Sequence, residues 1–244
     1  MLNKNNVSLC QCVKEMAAES KKQGQKFLVM RNYQELPDRN VARDIDVMIP
    51  KNTIVTWRRI IDNVSKKLGL SCRTGRQYLY VSEEFVSNVD SSELQFDIEP
   101  RMNWLGVDWL NNEDCIKRAR LFKDNIWIPH PADECVISFC MSYLYGGFVK
   151  EKYLPLMSEL AKNNKDEVLK ILSNVFGKKI AAKIVDSLIN KDIRDIAKNA
   201  ARHRLIVLLR GFLRHPVTFI FTFPLNYYLD VKAKRQTKKE LTKV

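Results

Sequence analysis

Asp44 and Asp46, in the run Asp44-Ile45-Asp46-Val47, are the residues whose type and spacing first point to chemistry. Residues two apart on a strand face the same way. A strand here therefore projects both carboxylates from one face and sends Ile45 and Val47 into a core. Two carboxylates held side by side repel unless a proton or a cation sits between them. That pattern suits Mg²⁺ (or Mn²⁺), a hard ion commonly held by one or two carboxylates and substrate phosphates. A third acid fits the same picture: Leu94-Gln95-Phe96-Asp97-Ile98-Glu99 alternates apolar and polar, which sets Asp97 and Glu99 on one face. If the two strands are neighbours, Asp97 completes a three-carboxylate cluster, with Glu99 as an auxiliary ligand, a general base or a surface acid at a strand end. Such clusters can clamp the attacking and leaving oxygens of phosphoryl transfer through two metal ions.

The elements that must position these acids can be read around them. Leu9, Val13, Met16 and Ala17 have helical spacing before Gly24, so an opening helix is expected. Residues 26–30 read as a strand, followed by a polar loop carrying Pro37 and the Asp44–Asp46 strand closed by Pro50. Ile54, Trp57, Ile60, Ile61, Val64 and Leu68 mark an amphipathic helix, with Arg58, Arg59, Lys66 and Lys67 assigned to its solvated face. Residues 70–81 are β-rich, either one long strand or a hairpin turning at Thr74-Gly75 between Arg73 and Arg76. Residues 83–92 read as a polar connection, and Trp104 and Trp109 as a packing segment around Gly106.

The order of these elements resembles that of DNA polymerase β-type nucleotidyltransferases. More narrowly, RNYQELP, then RDIDVMI, then QFDIEPRMNWLGVDW is similar to the nucleotidyltransferases found among bacterial surface-polysaccharide biosynthesis proteins, and the likeness continues weakly through PHPADECVISFCMSYLYGGFVKEKY. The resemblance implies a mixed-sheet α/β (α+β) catalytic core, with Asp44, Asp46 and Asp97 as catalytic metal ligands. The superfamily usually places a Gly-Ser pair after the first strand to hold the triphosphate. Here Arg31-Asn32 stand in that place, and Arg31 could bind phosphate as a planar, bidentate donor. Arg73 and Arg76 are the further candidates for a triphosphate or an anionic acceptor, and an exposed turn explains them equally well.

The chain of 244 residues carries 41 Lys and Arg against 28 Asp and Glu, a formal net charge of +13. That excess favours an anionic partner such as a nucleotide, a nucleic acid or a lipid headgroup. Six cysteines at 10, 12, 72, 115, 135 and 140 show no zinc-type spacing and read as reduced, mostly buried thiols. MLNKNNVSLCQC lacks an apolar h-region and a small-residue cleavage pattern, so no secretory signal and a cytoplasmic location are expected. His130, between two prolines, reads as a helix-entry residue or a satisfied, partly buried core histidine.

From Pro131 the pattern turns helical, with apolar stripes at 136–144, 153–161, 168–175 up to Gly177, 180–188 and 193–200. The expected division is a nucleotidyltransferase-like core over 1–129, a helical domain over 130–201 and an apolar, basic segment over 202–244. In that last segment, apolar blocks and aromatics precede a Lys/Arg-rich tail. Two readings stand equal: a peripheral association with an anionic membrane surface at its inner face, or burial against the core. Nucleic acid ranks third, since basic clusters alone attract it without sequence preference.

The leading functional expectation is metal-dependent transfer of a nucleotidyl group from an NTP to a sugar, a polysaccharide precursor or a lipid-linked saccharide acceptor. A second keeps the fold and makes tRNA or another RNA the acceptor, as in nucleotidyltransferase toxins. The third is a catalytically degenerate transferase fold serving as a membrane-bound assembly partner, for which the missing Gly-Ser pair speaks.

Overall fold

The computed structural model describes residues 4–38, 44–77, 81–87 and 93–241, with side chains except those of 4–8, 76, 77, 230 and 233–241. The opening apolar spacing makes helix α1 (Lys4–Lys22), and the FLVM run makes the short strand β1 (Leu28–Val29). Strand β2 (Asp44–Met48) and helix α2 (Ile54–Lys67) follow, then β3 (Ser71–Gln77), β4 (Ser82–Ser87) and β5 (Glu93–Glu99). After β6 (Met102–Trp104), β7 (Val107–Leu110) and the short α3 (Asn112–Arg118) come β8 (Arg120–Leu121) and β9 (Trp127–Ile128).

The expected mixed sheet is present. Its strand order is β3-β4-β5-β2-β1-β9-β8, with β2 parallel to β5 and antiparallel to β1. Alternation in β2 and β5 sends Ile45, Val47, Leu94, Phe96 and Ile98 to one face. There they share a core with Val13, Met16 and Ala17 of α1 and Trp57, Ile60, Ile61 and Val64 of α2. Phe27 and Trp57 meet edge to face, their centroids 4.9 Å apart. The opposite face of the same strands carries the acids.

The expectations for residues 83–92 and for Arg58 are corrected here. The segment from Glu83 is not simply a polar connection, because Ser82–Ser87 forms β4 and pairs along both edges with β3 and β5. Of the two alternatives for residues 70–81, β3 takes the single strand: it continues through Thr74-Gly75, with a shift of register against β4 between Thr74 and Gln77. Arg58 likewise leaves the solvated face. Its Nε donates to Glu84 at 2.8 Å and its Nη2 to Ser82 at 2.7 Å. The buried Glu84 carboxylate also accepts from Thr74 and Ser82. A buried acid so partnered can sit inside a strand.

Buried Asn112 locks the ends of the two acid-bearing strands together. Its amide donates to the carbonyls of Ile49 and Glu99 at 3.0 and 3.1 Å, and its oxygen accepts from the Met102 N–H at 3.1 Å. Asn112→Ala removes three buried hydrogen bonds, with the Glu99 carbonyl keeping a second partner in the Ile49 N–H, and is expected to cost about 2 kcal/mol, measured as a lower denaturation midpoint at unchanged m-value.

The chain divides into two compact units, one of residues 1–102 and 111–134 and one of residues 103–110 and 135–244. Helix α4 (Pro131–Gly146) starts in the first unit and runs on in the second. The second unit continues with α5 (Leu154–Asn163), α6 (Lys165–Phe176), α7 (Lys178–Ile189), α8 (Arg194–Lys198), α9 (Ala200–Arg214) and α10 (Pro216–Leu241). Phe139, Tyr143 and Phe176 form an aromatic centre there, and the Tyr143 hydroxyl lies 2.7 Å from His203 Nδ1. The six cysteines are thiols rather than disulfides, and five of them are buried. Among the described residues no helix is long and apolar enough to cross a membrane.

Candidate functional site

Parallel pairing in register sets Asp44 opposite Gln95 and Asp46 opposite Asp97. Directly opposed residues share a face, so Asp44, Asp46 and Asp97 come together. One carboxylate oxygen from each lies within 4.8 Å of the others. Asp46 is buried, and Asp44 and Asp97 are half-buried. Gln95 steadies Asp97 by donating to Oδ1 at 2.7 Å.

Two further acids crowd the cluster. Glu83, buried on β4, sits opposite Asp97 in the antiparallel ladder. Glu99, buried at the end of β5, is two residues beyond Asp97 on the same face. Burial pushes the Asp97 pKa up to about 6, against the Gln95 hydrogen bond, with the like charges of Asp46, Asp44 and Glu83 adding to it. Burial, with Asp46 and Asp97 beside it, raises Glu99 well above the ordinary glutamate range, while Arg31 pulls it down. A face so rich in negative charge fits a hard divalent cation: every donor is a carboxylate oxygen, and the charge is costly while uncompensated.

Arg31 supplies part of the compensation. Its Nε donates to Asp46 Oδ2 at 2.5 Å and its Nη2 to Oδ1 at 3.0 Å, a bidentate pair held by side chains 14% and 4% exposed. The expected phosphate ligand thus grips a metal-ligand candidate directly. Asn32 follows at φ 57°, a left-handed conformation that asparagine tolerates better than most residues. Arg73 stands elsewhere on the same face. Successive pairings place Arg73, Phe85, Gln95 and Asp44 abreast across four strands, about 14 Å from first to last at ordinary strand spacing. Its guanidinium lies 3.9 Å above the Phe85 ring and pairs with Glu93 at 2.7 Å. Gly75 is what lets the Phe85 ring lie down on β3, since a Cβ there would come within 2.2 Å of it. Arg76 belongs to β3, and its side chain lies outside those described.

Sequence reasoning does not single out Glu83, Gln95 or Phe85 for the site. Gln95 is within its reach, being two residues before Asp97 on the same strand. Glu83 and Phe85 become legible only once β4 is recognised as a strand.

The raised carboxyls predict a pH dependence. A group whose pKa is higher in the folded than in the unfolded chain adds stability below the unfolded value and loses it as pH rises through the folded one. For Asp97 that window runs from about 3.9 to about 6. Without divalent ions, thermal stability should therefore fall between about pH 4 and pH 7, and Asp97→Asn should flatten the fall. An unchanged profile in Asp97→Asn would show that this carboxyl is not the source.

No protein-family model matches the chain, and no curated protein sequence does. Solved structures similar to it include a Helicobacter pylori protein provisionally assigned as a nucleotidyltransferase, at 12% identity and TM-score 0.43, covering 86% of this chain and 96% of that one. JHP933 from Helicobacter pylori aligns at 12% identity and TM-score 0.44 over 94% and 100% of the two chains. The antibiotic-resistance factor ANT(2'')-Ia aligns at 10% identity and TM-score 0.42 over 76% and 97%. Likeness of this degree leaves the chemistry to be judged from the site alone.

Proposed function

We propose that the chain is a nucleotidyltransferase, using Mg²⁺ or Mn²⁺ to move a nucleotidyl group from an NTP to a hydroxyl or phosphate of a sugar or polysaccharide-precursor acceptor. The observation that carries this reading is the convergence of Asp44, Asp46 and Asp97 from two paired parallel strands, within 4.8 Å and on one face. When bound, the ion supplies charge neutralisation at the transferring phosphoryl group and at the leaving pyrophosphate. The chain's own residues do the rest. Asp44, Asp46 and Asp97 would hold the cation, and Gln95 orients Asp97. Arg31 lies close enough to exchange Asp46 for a phosphate oxygen, while Asn112 keeps the two strands in register behind them. In the transfer, the acceptor oxygen bonds to the α-phosphorus, the bond to the bridging oxygen breaks and pyrophosphate leaves. The acceptor proton passes to water or to a carboxylate of the cluster.

A second reading is favoured by the same Arg31–Asp46 pair: a degenerate site in which the guanidinium is a permanent substitute for the cation. A screen of the four NTPs with Mg²⁺ or Mn²⁺ and mixed sugar phosphates, following pyrophosphate release and labelled product, decides between them. Release that depends on the metal supports transfer. No release, together with no Mn²⁺ binding in titration calorimetry, would establish the degenerate site.

A further inference from the structure

Helix α10 packs with its more polar side inward. Asn226 is only 8% exposed, and Thr222 and Asn226 lie against the β6–β7 turn at Gly106, where φ is +90° and a Cβ would come within 2.8 Å of the Thr222 hydroxyl. The outward side carries Val217, Ile220, Phe221, Leu225 and Tyr228, from 48% to 76% exposed. Spacings of three and four residues align them into one stripe. Helix α9 likewise leaves apolar side chains outside. His203, Val207 and Gly211 face inward, while Leu205, Leu209 and Leu213 are 56%, 51% and 76% exposed. The two helices meet at Phe212 and Phe219, whose ring centroids are 5.8 Å apart. Singly exposed apolar residues are ordinary, but two consecutive stripes of this size mark a surface that is covered in use.

The charges around the stripes indicate what covers them. Between Asp195 and Asp230 the sequence contains no acid, yet it contains Lys198, Arg202, Arg204, Arg210 and Arg214. Arg210 and Arg214 reach the carbonyls of Ser173 and Asn174 near the end of α6, fixing α9 in place. Arg202, in the first turn of α9, and Lys232, within α10, are exposed. A second copy docked here would bring like charges together with no acid in the segment to meet them. An anionic lipid surface accepts both halves of the pattern, apolar side chains at the acyl boundary and cations at the headgroups. We infer that the α9–α10 surface docks the protein onto an anionic bilayer, lying on it rather than crossing it. Beyond Lys232 the sequence adds Lys234, Arg235, Lys238 and Lys239 to the positive charge of this segment.

The test is sedimentation of the full chain with vesicles of phosphatidylcholine alone and of phosphatidylcholine with phosphatidylglycerol at about 2:1, in about 0.05 M and about 0.5 M salt. Binding should require the anionic lipid and weaken at high salt. It should also fall at least tenfold when Ile220 and Phe221 are both changed to Glu. Those side chains are exposed, so circular dichroism and the unfolding midpoint should not move. Should the double variant misfold, Leu213→Glu tests the α9 stripe instead. Absence of binding at low salt overturns the inference, as does binding that the Glu variants leave unchanged. A dimer in light scattering that the Glu variants dissociate, with no vesicle binding, would assign the surface to a second copy and overturn it equally.

Discussion

Asp46→Asn is expected to lower metal-dependent nucleotidyl transfer at least ~100-fold, about 2.7 kcal/mol of transition-state stabilisation, while far-UV circular dichroism stays unchanged. Asp46 is the most buried of the three clustered aspartates and the one held by Arg31. Asparagine keeps its volume and one acceptor oxygen, so the Arg31 hydrogen bonds are partly retained and the strand has no reason to rearrange. What disappears is one of the three clustered negative charges proposed to hold the cation. Asp44→Asn and Asp97→Asn should behave alike, and Glu99→Gln more mildly, since Glu99 lies outside the group whose oxygens fall within 4.8 Å. Normal turnover in Asp46→Asn would make the cluster structural.

Arg31→Met should produce two effects of opposite sign. In the free protein the guanidinium occupies both oxygens of Asp46, so an incoming ion competes with a charge-assisted bidentate pair. Removing that pair should tighten Mn²⁺ binding, read by calorimetry, on the order of 100-fold, about 2.7 kcal/mol. The same substitution should weaken NTP binding, because the donor closest to the cluster is gone. Tighter metal with weaker nucleotide identifies Arg31 as a group that changes partners during turnover. Tighter metal with no change in nucleotide affinity would leave it as a counter-charge only. If Mn²⁺ affinity does not move, the pair does not oppose the ion.

Much of the site can be read from the sequence because strand periodicity is local information. Asp44 with Asp46, and Asp97 with Glu99, follow from alternation alone, and the core residues between them follow with equal force. The cost of error appears where a strand depends on distant partners. Glu83 and Glu84 look like solvated loop residues until Arg58, on a different element, is known to satisfy Glu84. The pairing of Arg31 with Asp46 is equally hidden. Position suggests that Arg31 faces a phosphate, and only the fold shows that its nearest anion belongs to the protein. The C-terminal helices are visible as apolar blocks, but which side of each faces outward is not, because α10 buries Asn226 and exposes Phe221, the reverse of ordinary amphipathic order.

The ladder between β2 and β5 joins residues about fifty positions apart in the chain, with a helix and a hairpin's worth of strand between them. Contacts of such separation form only after the entropy of closing a long loop has been met. The carboxylates are thus strangers in the early ensemble and become neighbours late, so an ion that needs all three has nothing to grip until the sheet is built. Such an ion, if bound, would leave the folding rate untouched and slow escape from the native state. A centre proposed for turnover would then also act as a latch, lengthening the lifetime of the sheet that assembles it.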